Sequence, residues 1–308
     1  MLWSRTPLVL SDWLSAVTKR PVWLKLENLQ PSGSFKDRGL AALCERYKRR
    51  ADASGVITSS GGNAGMAVAR AAHFLGLQAK IVVPESTALS VVSRLKRWNA
   101  DVIVRGKHWR EANDFALSLV DASNLLCHPF DDPVLWNAYS EIVREIDCEE
   151  PEAIVVAVGG GGLASGILQG VVDREWNSTV VCAESEGTAS FSAAWNAGRI
   201  VELEEIKSVC LTLGASKVCS NLLDKAQSYG NVISSVVSDQ EAVQACLDFA
   251  RHHRMLLEPS CGAAVAAMIK TAPNLPISEK PIVVIVCGGS AVSMELLQKL
   301  AKDLKIQD

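Results

Sequence analysis

No CxxC pair and no HExxH motif occurs in this 308-residue chain, so it offers no zinc ribbon, no thioredoxin-type dithiol and no common zinc-hydrolase pattern. Long apolar runs are missing as well. Runs such as Ile282 to Cys287 fall far short of a bilayer span, and nothing after Met1 reads as a basic then apolar leader. Repeats, low-complexity tracts and long linkers are absent. Charge of one sign is scarce: 31 Lys and Arg face 34 Asp and Glu, scattered, for a net charge of −3, which excludes a broad nucleic-acid footprint. What remains is an ordinary globular composition, 48% hydrophobic and 21% charged, at a length where one core gives way to two. The nine cysteines are odd in number and carry no metal-ligand spacing. Free thiols in such number point to a reducing compartment, taken as the cytoplasm.

Short β-branched runs alternate with amphipathic stretches almost throughout. The runs are Val22 to Leu26, Val56 to Thr58, Ala79 to Val83, Val102 to Val104, Ile154 to Val158, Val180 to Ala183, Val232 to Val236 and Ile282 to Cys287. Most are apolar on both faces and predict buried parallel strands in an α/β fold. Between them, Ala64 to Leu75 predicts a helix stopped by Gly76, and Ser238-Asp-Gln-Glu241 is a capping box. Phe130-Asp-Asp-Pro133 predicts a turn.

Gly159-Gly160-Gly161-Gly162 follows the strand Ile154 to Val158 and precedes the helical Leu163 to Val171. Bare N–H groups at a helix start form a phosphate cradle; the plainer reading is a tight turn. The same loop satisfies a dinucleotide fingerprint through Gly159, Gly161 and Ala164. Glu184 then stands about where a ribose-binding acid belongs, so an NAD-dependent oxidoreductase is a rival of a different class.

Lys36 tips the balance. It lies after the turn-forming Gln30-Pro-Ser-Gly-Ser34, at the expected start of a helix. The positive end of the helix dipole and the nearby Arg38 both disfavour its ammonium, which suits Schiff-base chemistry. A reactive lysine together with a separate phosphate cradle points to pyridoxal 5′-phosphate.

At this point a resemblance becomes plain. The stretch Lys25-Leu-Glu-Asn-Leu-Gln-Pro-Ser-Gly-Ser-Phe-Lys-Asp-Arg-Gly39 resembles the lysine motif of fold-type II pyridoxal phosphate enzymes, and within them the L-serine/L-threonine ammonia-lyases. It continues through Ser59-Ser-Gly-Gly-Asn-Ala-Gly65, Pro129 to Pro133, the tetraglycine, Ser238 to Ala242, Glu258-Pro-Ser-Cys-Gly-Ala-Ala264 and Val286-Cys-Gly-Gly-Ser290. These blocks run over nearly the whole chain.

The resemblance implies two α/β domains of the tryptophan synthase β type with the cofactor in the cleft: residues 1–32 and 134–308 as the large one, 33–133 as the small one. It implies that Lys36 binds the cofactor aldehyde and Phe35 packs on the ring. Asn63 would meet the 3′-oxygen, Gly159 to Gly162 with Leu163 the phosphate, and Cys287 the pyridine nitrogen. Ser60, with the Gly61 and Asn63 backbone, would take the substrate carboxylate. Glu184, Thr188, Ser190, Leu213 and Ala215 stand where relatives bind a monovalent or divalent cation, against the reading of Glu184 as a helix cap. The implied reaction is β-elimination of L-serine, and of L-threonine, by a homodimer without a C-terminal regulatory domain.

Two positions bear on reaction choice. A neutral thiol at Cys287 cannot keep a pyridine nitrogen protonated as an aspartate would, which shortens the life of a carbanion and favours prompt expulsion of a β-leaving group. Gly61 stands where related serine racemases carry a serine that reprotonates from the opposite face. The resemblance also implies that Thr212 stands where the mammalian-type dehydratases put a small residue against the other ring face.

Overall fold

The computed structural model describes residues 2–306. The chain opens with β1 (Leu8–Leu10), α1 (Asp12–Thr18) and β2 (Val22–Lys25), then enters α2 (Lys36–Lys48). A run of alternating elements follows: β3 (Gly55–Thr58), α3 (Asn63–Leu75), β4 (Gln78–Val83), α4 (Leu89–Lys96), β5 (Asp101–Val104), α5 (Trp109–Ser118) and β6 (Asn124–Leu126). Then come α6 (Pro133–Arg144), β7 (Ala153–Ala157), α7 (Gly162–Asp173), β8 (Thr179–Ser185), α8 (Ser190–Ala197), α9 (Ser220–Tyr229) and β9 (Val232–Val237). The last elements are α10 (Asp239–His253), α11 (Pro259–Thr271), β10 (Ile282–Ile285) and α12 (Met294–Asp303).

The strands form two sheets. One has the order β1-β2-β10-β7-β8-β9 and the other β5-β4-β3-β6. Every pairing is parallel except β1 with β2. Strands β3, β7 and β10 are buried at every residue, as strands covered by helices on both faces must be. The four-stranded sheet draws its strands only from residues 55–126; the other is built from strands before and after that segment.

All eight strand runs read from the sequence are present. Two strands escaped that reading. Both β1 and β6 are three residues long, and β6 begins at an asparagine and continues with two leucines. Their extended form comes from pairing, β6 on β3 and β1 on the edge of β2, and not from local preference. Helix signals fared better. Gly76 ends α3 at φ 64° and Ser238 with Glu241 forms the expected capping box; the segment read as a turn also opens a helix, with Asp132 capping α6 ahead of Pro133.

Beneath α2 lies a buried cluster of charges. Arg38 donates to both Glu27 oxygens at 2.7 and 2.8 Å and to Glu145 at 2.6 and 2.7 Å. Lys25 donates to Glu145 at 2.6 Å and to the Thr6 carbonyl at 2.7 Å. Two cations thus face two carboxylates, and burial alone would pull the Arg38 guanidinium down. The hydrogen bonds to Glu27 and Glu145 outweigh burial and keep Arg38 charged. Because α2 also packs on α3 and α6, its first residue is held firmly.

Candidate active site

Parallel sheets present ligands at the carboxyl ends of their strands. There the chain places Ser59 to Asn63 after β3, the glycine loop after β7, and Cys287 after β10. The start of α2 is zipped onto the same rim. Ser34 bridges Gly288, Gly289 N–H donates to the Gly33 carbonyl at 2.9 Å, and Phe35 N–H donates to the Cys287 carbonyl at 3.1 Å.

Lys36 is the first residue of α2, as expected, and is half-buried. Its Nζ donates to the Pro129 carbonyl and stands 5.0 Å from the centre of the Phe35 ring. Burial lowers its amine to about 8. Arg38 is not a cause, contrary to the expectation, because Glu27 and Glu145 neutralise it. At pH 8 such an amine is about half free, against well under about 1% for an ordinary lysine. Phe35 meets Tyr139 edge-on at 5.0 Å.

The glycine loop is both cradle and tight packing. A Cβ on Gly160 would lie 2.3 Å from the Phe130 ring, and one on Gly162 2.4 Å from the Phe130 carbonyl oxygen. Phe130 therefore demands glycine at both positions. The loop then leads into α7, whose first turn holds Gly162 and Leu163 and no acidic side chain. First-turn N–H groups have no acceptor within their own helix, so this end attracts an anion.

Asn63 opens α3 and is buried. Its Oδ1 accepts from Ser290 N–H at 2.8 Å and Ser290 Oγ at 2.9 Å, and its Nδ2 donates to Glu258 Oε1 at 2.9 Å. Ser60 Oγ accepts from Gly62 N–H at 3.3 Å. A Cβ built on Gly61 would point at Val83 Cγ1, 3.1 Å away, with Thr87 Cγ2 at 3.4 Å and Val91 Cγ1 at 3.6 Å. A side chain there fits only if Val83 gives by a few tenths of an ångström.

Cys287 is buried. The hydrogen-bonded Cys261 thiol, burial and the nearby Glu258 all push its thiol up, so it stays neutral. All nine cysteines are free thiols.

Glu184 behaves as a helix cap. It is fully buried, and its two oxygens accept the N–H groups of Phe191 at 2.7 Å and Ser192 at 2.8 Å, at the start of α8. Burial pushes its carboxyl up to about 7. Those bonds also leave it ill-placed to hold a ribose, as the dinucleotide reading requires. Of its expected companions, Thr188 Oγ1 bonds Ser185 Oγ at 2.8 Å and the Leu213 carbonyl accepts from Ala215 N–H at 2.7 Å. Ser190 Oγ is buried without a hydrogen-bond partner among the described residues. No group of three or more His, Cys, Asp or Glu able to hold a metal occurs among the described residues.

The profile of the pyridoxal-phosphate dependent enzymes matches residues 1–288. This chain belongs to that family. It is 42% identical to a rat protein named serine dehydratase-like, over 97% of this chain and 94% of the other. It is 40% identical to a human L-serine dehydratase/L-threonine deaminase, over 97% and 95%. A solved L-serine ammonia-lyase of the fungus Rhizomucor miehei superimposes with a TM-score of 0.90 at 32% identity, covering 98% of each chain. The architecture is thus the fold-type II pyridoxal phosphate fold, as the motifs implied.

The residues present fit the family's cofactor. An aldehyde needs an amine that readily sheds its proton, which burial provides at Lys36. A phosphate needs N–H donors without competing carboxylates, which α7 provides. Three participants escaped the sequence reading. Pro129 and Phe130 lay in a family motif that carried no site role, and a backbone oxygen leaves no signal in sequence. Glu258 opens one of the family motifs and carried no role there; its contacts are long-range and became visible only in three dimensions.

Proposed function

We propose that this chain is an L-serine/L-threonine ammonia-lyase that converts L-serine to pyruvate and ammonia and L-threonine to 2-oxobutanoate and ammonia. The observation that carries the reading is the Lys36 amine, lowered to about 8 at the strand-end rim that it shares with the glycine loop. The relatives named for serine dehydration support it. When bound, pyridoxal phosphate supplies an aldehyde for the substrate amine and an electron-withdrawing ring that acidifies the substrate Cα–H.

In this reading Gly159 to Gly162 and Leu163 hold the phosphate, Asn63 the 3′-oxygen, Phe35 a ring face and Cys287 the pyridine nitrogen. Ser60 and the backbone of Gly61 and Asn63 orient the substrate carboxylate at the α3 N-terminus. The freed Lys36 amine removes the Cα proton; the Pro129 carbonyl, its acceptor, keeps it aimed into the cleft. The neutral Cys287 thiol leaves the pyridine nitrogen unprotonated, which favours loss of the β-hydroxyl over a lasting carbanion. The reading extends to a homodimer in the cytoplasm, to a small domain over residues 33–133, and to a cation near Glu184 with oxygens of Thr188, Ser190, Leu213 and Ala215. The test is pyruvate release from L-serine by the purified protein with pyridoxal phosphate, with and without added cations. No pyruvate under any of these conditions overturns it.

Two further results are expected. Cofactor uptake by the cofactor-free protein should accelerate about tenfold per pH unit below pH 8 and level off above it, because only the free Lys36 amine attacks. Stopped-flow absorbance reads this; a rate still climbing steeply at pH 10 would mean an ordinary lysine. Chiral analysis of residual serine during turnover should find negligible D-serine, since Gly61 offers no donor on the opposite face. Gly61→Ser should raise D-serine measurably, with Val83 yielding to the new Cβ. D-serine forming as fast as pyruvate in the unmodified protein would make it a racemase.

A further inference from the structure

Glu258 has no part in the site as read from sequence, yet it sits where three segments meet. It precedes α11 and is 6% exposed. Its Oε1 accepts from Asn63 Nδ2 at 2.9 Å and from Thr212 Oγ1 at 2.6 Å. Its carboxylate lies against Gly289, where a Cβ would come within 2.1 Å of Glu258 Cδ. Asn63 opens α3, just after β3 of the four-stranded sheet. Glu258 and Ser290 belong to segments around the six-stranded sheet.

The orientation of the Asn63 amide is decided by these contacts. Ser290 N–H can only donate, so it must face Oδ1; the other end of the amide is then Nδ2, and it needs an acceptor. Glu258 Oε1 is that acceptor. One Nδ2 hydrogen goes to Glu258, and the second has no protein acceptor among the described residues. We propose that Glu258 is a positioning residue that fixes the Asn63 amide so that this second hydrogen points to the cofactor's 3′-oxygen, with Thr212 holding Glu258 in turn. The proposal rests on the reading of Asn63 as a cofactor contact.

This gives Thr212 a role. Its hydroxyl is the second donor to Oε1, at 2.6 Å. Burial pushes the Glu258 carboxyl up to about 7, against the Thr212 and Asn63 bonds that favour its charge. Oε1 can accept in either state, because a proton can reside on Oε2. Positioning therefore needs the acceptor and not the charge. Glutamine should replace Glu258 well; methionine, similar in size and without an acceptor of that strength, should not.

The experiment is a titration of cofactor-free protein with pyridoxal phosphate, reading the dissociation constant and the visible band of the bound cofactor. Asn63→Ala and Glu258→Met should each weaken binding about 10- to 100-fold and shift the band in the same direction. The double variant should be no weaker than Asn63→Ala alone, because Glu258 acts through Asn63. Glu258→Gln should stay within about 3-fold of the unmodified protein, and Thr212→Val should weaken binding about 3- to 10-fold, but not in the Asn63→Ala background. If Asn63→Ala weakens binding while Glu258→Met and Thr212→Val do not, the positioning role is wrong and the Asn63 reading stands. If Asn63→Ala binds as the unmodified protein does, the reading of Asn63 fails and the proposal with it. Should Glu258→Met not fold, Thr212→Val decides alone, and unchanged affinity and band there overturn the proposal.

Discussion

Lys36→Ala is expected to lower pyruvate formation from L-serine by more than about 10⁴-fold. Two roles disappear together. The side chain is the only amine that the start of α2 offers for covalent attachment, and it is the base for the Cα proton. Loss of a proton-transfer group alone costs about 10² to 10⁴. The loss should not come from unfolding. The charged clamp of Lys25, Glu27, Arg38 and Glu145 holds α2 without Lys36, and removing a half-buried ammonium relieves its burial penalty. Pyridoxal phosphate should still bind, now without a bond to the protein, through the α7 N-terminus. Dialysis would then remove it, whereas the unmodified protein should retain it after borohydride treatment. Full activity in Lys36→Ala would sink the assignment of the base and the attachment point at once.

Gly65→Ala is expected to have the second largest effect, although it adds one methyl group at a residue that touches neither cofactor nor substrate in the proposed reading. A Cβ at 65 would lie 1.7 Å from the Ser60 carbonyl oxygen and 2.9 Å from its carbon. No rotamer avoids this contact, since Cβ is fixed by the backbone. Either α3 or the Ser60 to Gly62 loop must move by more than about 1 Å. A displacement of that size in substrate-positioning groups costs about 10²-fold in rate. The overpacking should also lower stability by about 1 to 3 kcal/mol. Steady-state kinetics with L-serine, alongside urea denaturation, read both. The fall should exceed about 10²-fold in kcat/KM while the Lys36 attachment survives, because α6 and the Lys25, Glu27, Arg38 and Glu145 clamp also hold α2. Wild-type kinetics in Gly65→Ala would mean that the Ser60 loop does not orient substrate.

Local chemistry carried much of the architecture. Most buried parallel strands are short, largely apolar runs, so β2, β3, β4, β5, β7, β8 and β10 could be read directly, as could β9 despite Ser234 and Ser235, and Gly76 and Ser238 marked helix ends by capping rules that act within four residues. Lys36 and the glycine loop were legible for a similar reason. Glycine-rich turns before helix starts are short-range features, and their order along the chain matched a known family.

Long-range contacts decided the rest. Glu184 shows the limit best: the sequence left it between ribose acid, cation ligand and helix cap, and only the placement of α8 against the end of β8 put Phe191 and Ser192 N–H groups on its oxygens. Burial was invisible too. The low pKa of Lys36 comes from desolvation in the assembled cleft and not from Arg38, whose charge is cancelled by Glu145, 107 residues away. By itself the sequence determined most of the strands, the glycine loop and the lysine at a helix start, and which family has that order of motifs. Only the tertiary structure decided which carboxylate faces Asn63, which carbonyl receives Lys36 and why Gly65 has no side chain. Such contacts join residues far apart in the chain, and each depends on the packing of whole elements, which no local pattern encodes.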